Sequence, residues 1–466
     1  MSDTTSARTA LPRVLGLVAA VAIVVGEVIG SGIFFKPAEV ARATQGHLGV
    51  ILSLWVACGL VNLCGALALA ELSTMFPQAG GTYVFLRETY GRTWAFLWCW
   101  AEFWVIRTGA IAAMAVYSTY SLEQLAASAG LQLSEPGWGT FRKASAVAFI
   151  AFLGAVNTAG THWGGRMQTL MTTIKVGFVA LLAVLPFIAI GEGPGVRNVW
   201  WPEHFEPAMW AGIGSALAAI MWAYDGWGNV TVVAEEIRNP ERNVPRALIG
   251  GVMLLVVLYF GANLAYHLTL PWQEIAGAFI PAQAVCEKLL PDFGGKLMVA
   301  MLLVSLFGAL NGNILIGPRV LYAVARDYEV LRPLRSVNAR TQTPARAIAA
   351  VCAWSIVLIL LPDLRADQSV PLADWLTTYC IFGGSIFYLS AVLAVFVLRV
   401  KRPDAPRPYR AWGYPLTPAI FAGFYIFLLA SMLWARPFEC LTGLLLIAAG
   451  LAVYMLVARG ESGEMR

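Results

Sequence analysis

The stretch VVGEVIGSGIFF, Val24 to Phe35, interrupts an apolar run that begins at Val14. A glutamate in lipid costs several kcal/mol, and each glycine weakens a helix interior by roughly 1 kcal/mol relative to alanine. An ordinary spanning helix would carry leucine or valine at Glu27, Gly30, Ser31 and Gly32. Backbone can leave the helix at membrane depth only where it is buried in protein or lines a cavity. The interruption therefore points inward, at a site. A second stretch of the same kind, MWAYDGWGNVTVVAEE, Met221 to Glu236, sets Gly226 and Gly228 beside Asp225.

The rest of the chain supplies the membrane. Of 466 residues 59% are hydrophobic and 13% charged, and mean hydropathy is +0.69, too apolar for a soluble globular protein of this length. The expected fold class is an all-α membrane protein with twelve transmembrane helices, at about 20 apolar residues per span: 14–35, 50–74, 94–120, 144–159, 167–190, 209–234, 248–270, 297–325, 347–361, 375–398, 417–434 and 441–458. The fourth and ninth are short. The opening MSDTTSARTALPR has no cleavage pattern of a signal peptide, so the first span is expected to be retained.

Lys and Arg set the orientation. About twenty fall in the N-terminus and even-numbered connections and about nine in the odd-numbered ones, which predicts both termini in the cytoplasm of a multi-pass plasma (inner) membrane protein. The formal charge of +5 is thus a matter of topology, and no nucleic-acid patch is expected. Five of seven cysteines, Cys58, Cys64, Cys99, Cys352 and Cys380, lie in spans as small packing residues. With no CxxC and four scattered histidines, neither a metal nor a cofactor is expected.

Spans one and six, the two broken ones, head successive sets of five. That is the arrangement of an inverted repeat with a midplane site between two discontinuous helices. The expected organisation is an N-terminal segment 1–13, a ten-helix transport core 14–398 with repeats 14–190 and 209–398, two further spans within 417–458 for packing or dimerisation, and a tail 459–466.

Unwinding at Gly30-Ser31-Gly32 frees backbone N–H groups at the positive end of a half-helix, a ready carboxylate site. Freed carbonyls around Trp222 to Asp225 match an ammonium group, so a zwitterion fits between the breaks. The blander reading is that the glycines only allow close helix packing.

In this setting VGEVIGSGIF resembles the first helix of the L-type amino acid transporter family of the amino acid-polyamine-organocation superfamily. So, in order, do ALAELSTMFPQAGGTYVFLRETYG, WAEFWVIRTG, MWAYDGWGNVTVVAEEIRNPERNVPRAL, GALNGNILIGPRVLYAVARD and RPDAPRPYRAWGYPLTP. The resemblance runs from about Val14 to Pro418. It implies a LeuT-like fold and a secondary transporter, not an enzyme: a sodium-independent exchanger of cationic and/or neutral L-amino acids, or alternatively a proton-coupled amino acid or polyamine symporter. By position it implies that Val28, Ile29, Gly30, Ser31 and Gly32 hold the substrate headgroup, facing Trp222, Ala223, Tyr224, Asp225 and Gly226. Trp222 matches the aromatic gate of the sixth helix. Asp225 has the form found in the exchanger of cystine and dibasic amino acids, facing a cationic side chain; capping a helix end is its other reading. Lys175 resembles a fixed substitute for the sodium ion of coupled relatives. Family members that pair with a heavy chain use a cysteine in the loop after the third span. Ser121 to Lys143 contains none, so no disulfide-linked partner is expected, and the protein is expected as a monomer or homodimer.

Glu27 departs from the small or hydroxylated residue the family pattern would place there. Together with Asp225 and Lys175 it leaves a net charge of minus one around the site. Either Glu27 pairs with Lys175 and Asp225 selects cationic substrates, or Glu27 carries a coupled proton. Glu102 and Arg107, five residues and about 500° apart on a helix, are expected to face different partners. Glu71, Arg87, Glu235, Glu236, Arg238, Arg319 and Arg326 sit at span ends as an inner gate or as solvated loop charges. Asn157 and Asn311 read as interhelical glue. A channel would need a continuous polar pore, and a membrane enzyme a catalytic motif; neither appears in the sequence.

Overall fold

A computed structural model describes residues 11–131, 137–189, 199–205, 207–361 and 372–464. Residues 1–10 of the N-terminal segment, the tail at 465–466 and parts of three loops lie outside them. The described chain is helical, apart from one isolated bridge pairing Leu15 with Ile237.

In chain order the helices are α1 Leu17–Val28, α2 Gly32–Ala43, α3 Leu48–Met75, α4 Thr82–Tyr90, α5 Arg92–Ala101, α6 Thr108–Ser128, α7 Gly137–Ala159, α8 Thr161–Ala189, α9 Pro207–Tyr224, α10 Pro240–Thr269, α11 Trp272–Gly277, α12 Pro281–Leu289, α13 Gly294–Val324, α14 Ala345–Leu360, α15 Leu372–Lys401, α16 Leu416–Ala435 and α17 Pro437–Glu464. A π-helical turn, Glu102–Arg107, joins α5 to α6, and a 3-10 segment, Trp227–Glu236, continues α9.

Each of the twelve expected segments contains helix. Among the described residues nine helices are long and apolar enough to cross a bilayer, and α1 with α2, bent by 42° at their junction, make a tenth. The other two segments are the broken sixth, α9 with its 3-10 continuation, and α14, which at 16 residues is as short as its sequence indicated. The fourth segment is longer than expected: α7 runs 23 residues and extends the apolar run 144–159 back to Gly137.

Both expected breaks are present. α1 stops at Val28, and the chain passes through Ile29, Gly30 and Ser31 before α2 opens at Gly32. α9 stops at Tyr224, and Gly226 follows with φ +108°, where an L side chain is strained, so glycine is what lets the chain turn there. The two breaks touch. A Cβ on Gly32 would lie 2.6 Å from Ala223 Cα, and one on Gly226 would meet Glu27 Cβ at 3.2 Å. α1 packs on α8, α10 and α13, and α2 lies along α9, so the broken pair occupies the middle of the bundle. The bridge fastens their other ends, with Leu15 N–H donating to Glu236 O at 2.9 Å and Arg238 N–H to Leu15 O at 2.8 Å.

Candidate substrate site

Between the breaks lies a cavity of about 110 Å³. Its wall includes Glu27, Val28, Gly30, Ser31 and Gly32 from the first break and Trp222, Asp225 and Gly226 from the second. α2 directs its N-terminal end at this space, and first-turn amides have no intrahelical acceptor. Asp225 is exposed, and it lines the cavity.

Three residues expected at the site turn away from it. Ile29 and Ala223 are buried, and Tyr224 packs its ring against Trp55 and Tyr259 at centroid distances of 6.0 and 5.0 Å. The backbone carbonyls of Ile29 and Ala223 are also engaged. Ile29 O accepts from Lys175 Nζ at 2.8 Å and from Ser305 Oγ at 3.1 Å, and Ala223 O accepts from Tyr259 Oη at 3.0 Å. The carbonyls freed by unwinding are thus largely satisfied by the scaffold, as burial in an apolar bundle requires.

Lys175 does not pair with Glu27. Only 1% exposed, it donates to Gly26 O at 2.9 Å and to Ile29 O, closing the end of α1 from α8 and staying out of the cavity wall. A cation at a helix C-terminus meets the negative end of the helix dipole and the carbonyls that lack a partner, which accounts for a buried lysine without a carboxylate.

The partner of Glu27 is Arg107. Asn229 Nδ2 and Asn313 Nδ2 each donate to Glu27 Oε2 at 3.2 Å, while Arg107 donates to the Oδ1 atoms of the same two asparagines, at 3.1 and 2.7 Å. Arg107 Nη1 itself lies 3.8 Å from Glu27 Oε2. On its other side Arg107 Nε donates to Glu102 Oε1 at 2.7 Å. That contact corrects the expectation that Glu102 and Arg107 diverge. The 500° separation holds for an α-helix, but this turn is π, whose i→i+5 spacing brings residues five apart onto one face.

Arg107, Asn229 and Asn313 were not singled out as site residues from sequence, yet all three line the cavity. A signal existed for the first, because an arginine in the middle of a span is by default a functional position. Tyr388 and Tyr425, contributed by α15 and α16, line it too and carried no such signal.

At the end of the bundle where Leu15 meets Ile237, the span-end charges form a dense network. Arg319 and Glu236, both fully buried, pair at 2.8 Å, and Thr161 Oγ1 donates to Glu236 Oε2 at 2.6 Å. Arg326 donates to both oxygens of Glu235 at 2.9 Å, and the amides of Leu11 and Ala79 bond the same carboxylate. Burial pushes the Glu235 carboxyl up, but the bonds from Arg326, Ala79 and Leu11 outweigh it and hold it below the ordinary value. Arg87 pairs with Asp327 at 2.8 Å, and Glu71 with Arg399 at 2.6 Å. Arg238 is the exception, an exposed residue whose side chain donates to Arg13 O at 3.4 Å. Asn157 and Asn311 join two helices as expected, Asn157 Nδ2 donating to Asn311 Oδ1 at 3.0 Å.

A family model described as amino acid permease matches residues 15–457, nearly the whole chain. The chain belongs to the amino acid permease family. The permease is 32% identical over 448 residues to the serine/threonine exchanger SteT of Bacillus subtilis (strain 168), covering 95% of this chain and 96% of the relative. It is 31% identical to the human large neutral amino acids transporter small subunit 2, covering 96% of this chain and 81% of the relative. To the human b(0,+)-type amino acid transporter 1 it is 30% identical, over 98% and 90%. Membership agrees with the resemblance carried by the two broken helices, and the matched region extends past the core through α16 and into α17.

Proposed function

We propose that this permease is a sodium-independent exchanger of L-amino acids with cationic and/or neutral side chains, working by alternating access. The observation that carries the reading is the meeting of two broken helices over one cavity, with the opening of α2 on one side and Asp225 on the other. The α-carboxylate lies at the amides of Ser31 and Gly32, and the α-ammonium takes the second lone pairs of break carbonyls that the scaffold already bonds once. Trp222, half-buried on the wall, closes over the substrate. Asp225 faces a cationic side chain. The relative named as a serine/threonine exchanger supports amino acid exchange over one-way flux.

One bundle rocks against a scaffold around the broken helices, and the Glu235–Arg326 and Glu236–Arg319 network is the inner gate. Loop basicity supports a plasma-membrane protein with that gate and both termini on the cytoplasmic side. Large neutral amino acids transporter small subunit 2 is named as a subunit; this chain, without a cysteine between Ser121 and Lys143, works without a disulfide-linked heavy chain, as a monomer or homodimer.

Uptake of labelled alanine and arginine into proteoliposomes, with and without amino acid inside, tests the reading. Saturable uptake stimulated several-fold by internal amino acid is expected. Uptake indifferent to internal substrate and driven by a pH gradient would point instead to the proton-coupled symporter, and non-saturating flux would overturn transport by this site.

A further inference from the structure

Five ionisable side chains surround the meeting of the breaks: Glu27 on α1, Glu102 and Arg107 on the π turn, Lys175 on α8 and Asp225 after α9. Three carboxylates against two cations leave one negative charge in excess when all are ionised. A zwitterionic substrate with a neutral side chain adds nothing to that balance, whereas a cationic side chain cancels it. An uncompensated charge in a closed, low-dielectric cavity is costly, so the loaded site favours one more positive charge.

The structure distinguishes the carboxylates. Asp225 is open to the cavity, its carboxylate taking a backbone hydrogen bond from Gly226. Glu102 is held by Arg107 on Oε1, and although its Oε2 is likewise buried without a donor, it lies off the cavity wall. Glu27, 6% exposed, is served on one oxygen only: Oε2 takes both asparagine amides, while Oε1 is buried with no hydrogen-bond donor. Oε1 points at Gly312, where an added Cβ would collide with it, and Gln168 Nε2, also buried and without a bond, borders the same space. Of the charged groups on the packed elements Arg107 faces this carboxylate, its Nη1 3.8 Å from Oε2. Lys175 is spent on Gly26 O and Ile29 O, Tyr259 of α10 on Val28 O, and Tyr117, Tyr388 and Tyr425 lie elsewhere on the wall.

We propose that Glu27 makes this permease a proton carrier as well: Oε1 holds one proton when the cavity carries a neutral amino acid and releases it when the cavity carries a cationic one. Protonation forms one O–H bond, takes its proton from the water on the side to which the cavity is open, and returns it on the other side. Exchange of a cationic for a neutral amino acid then moves one proton with the neutral partner and no net charge. The inference rests on the exchanger reading and on Asp225 as the contact of the cationic side chain.

Proteoliposomes loaded with alanine and a pH-sensitive dye, given external arginine under a valinomycin-clamped potassium potential, test it. In the wild type the lumen alkalinises by about one proton per arginine entering, and the rate is indifferent to potential. Alanine–alanine exchange produces no net pH change. Glu27→Gln, its folding checked by its thermal midpoint in detergent, is read as protons moved per exchange: arginine–alanine exchange moves no proton and accelerates several-fold at inside-negative potential. Wild-type arginine–alanine exchange without alkalinisation, or alkalinisation that survives in Glu27→Gln, overturns the proposal while leaving the exchanger reading standing. Loss of trans-stimulation in every pairing would instead remove the exchanger reading.

Discussion

Two groups of buried charge in this protein are built on opposite plans. In the network at the Leu15 end, carboxylates are met by more than one donor: Glu236 by Arg319 and Thr161, Glu235 by Arg326 and two backbone amides, Glu71 by Arg399 and the Ala411 amide. At the cavity, charge is left in reserve. Asp225 opens into the cavity, and Glu27 has one oxygen unserved. Charges satisfied by the fold hold elements together, and charges left unsatisfied are where a ligand or a proton completes the balance. Removing a member of the first group is thus expected to cost stability, and removing a member of the second to change what is carried.

The largest effect is expected at Arg319. Arg319→Gln leaves Glu236 ionised and fully buried without its cation, which should lower stability by about 3–5 kcal/mol. Thermal unfolding in detergent reads this as a large fall in midpoint, and a midpoint near that of the wild type would erase the distinction between the two groups. Next is Gly226→Ala. An alanine forced to φ +108° costs about 1–2 kcal/mol and presses on Glu27, so exchange should fall well beyond any loss of folded protein. Normal exchange by that variant would mean the second break need not keep its shape. The smallest effect is at Glu235. Its folded carboxyl lies below the ordinary value near 4.3, so its contribution is present above that pH and lost as pH falls through the folded value. Glu235→Gln should lower stability by about 1 kcal/mol at pH 7, the pair being partly solvated, with the difference from wild type closing below about pH 4. A difference that grows on acidification would contradict that sign.

Much of this was legible in the chain itself. VVGEVIGSGIFF and MWAYDGWGNVTVVAEE locate both breaks, because only a non-helical stretch explains glycine and charge at membrane depth. Membership of the cavity was less legible. Residues 28–32 and 222–226 were taken as continuous, but an unwound segment still turns successive side chains different ways, so Ile29, Ala223 and Tyr224 face the core. The Glu102–Arg107 contact was hidden because sequence spacing converts to geometry only once the helix type is known, and a single π turn leaves no periodic trace. For Lys175, charge counting alone suggested a carboxylate partner, whereas the carbonyls freed by the first break serve equally well.

The most direct test of the contrast between satisfied and reserved charge is Asp225→Asn, assayed by exchange of arginine and of alanine against the same internal amino acid. A reserved charge predicts normal folding, alanine exchange within about threefold of wild type, and arginine exchange reduced at least about tenfold, equivalent to 1.4 kcal/mol. Equal arginine and alanine exchange in a folded Asp225→Asn protein would contradict it, leaving Asp225 as a structural cap on the second break.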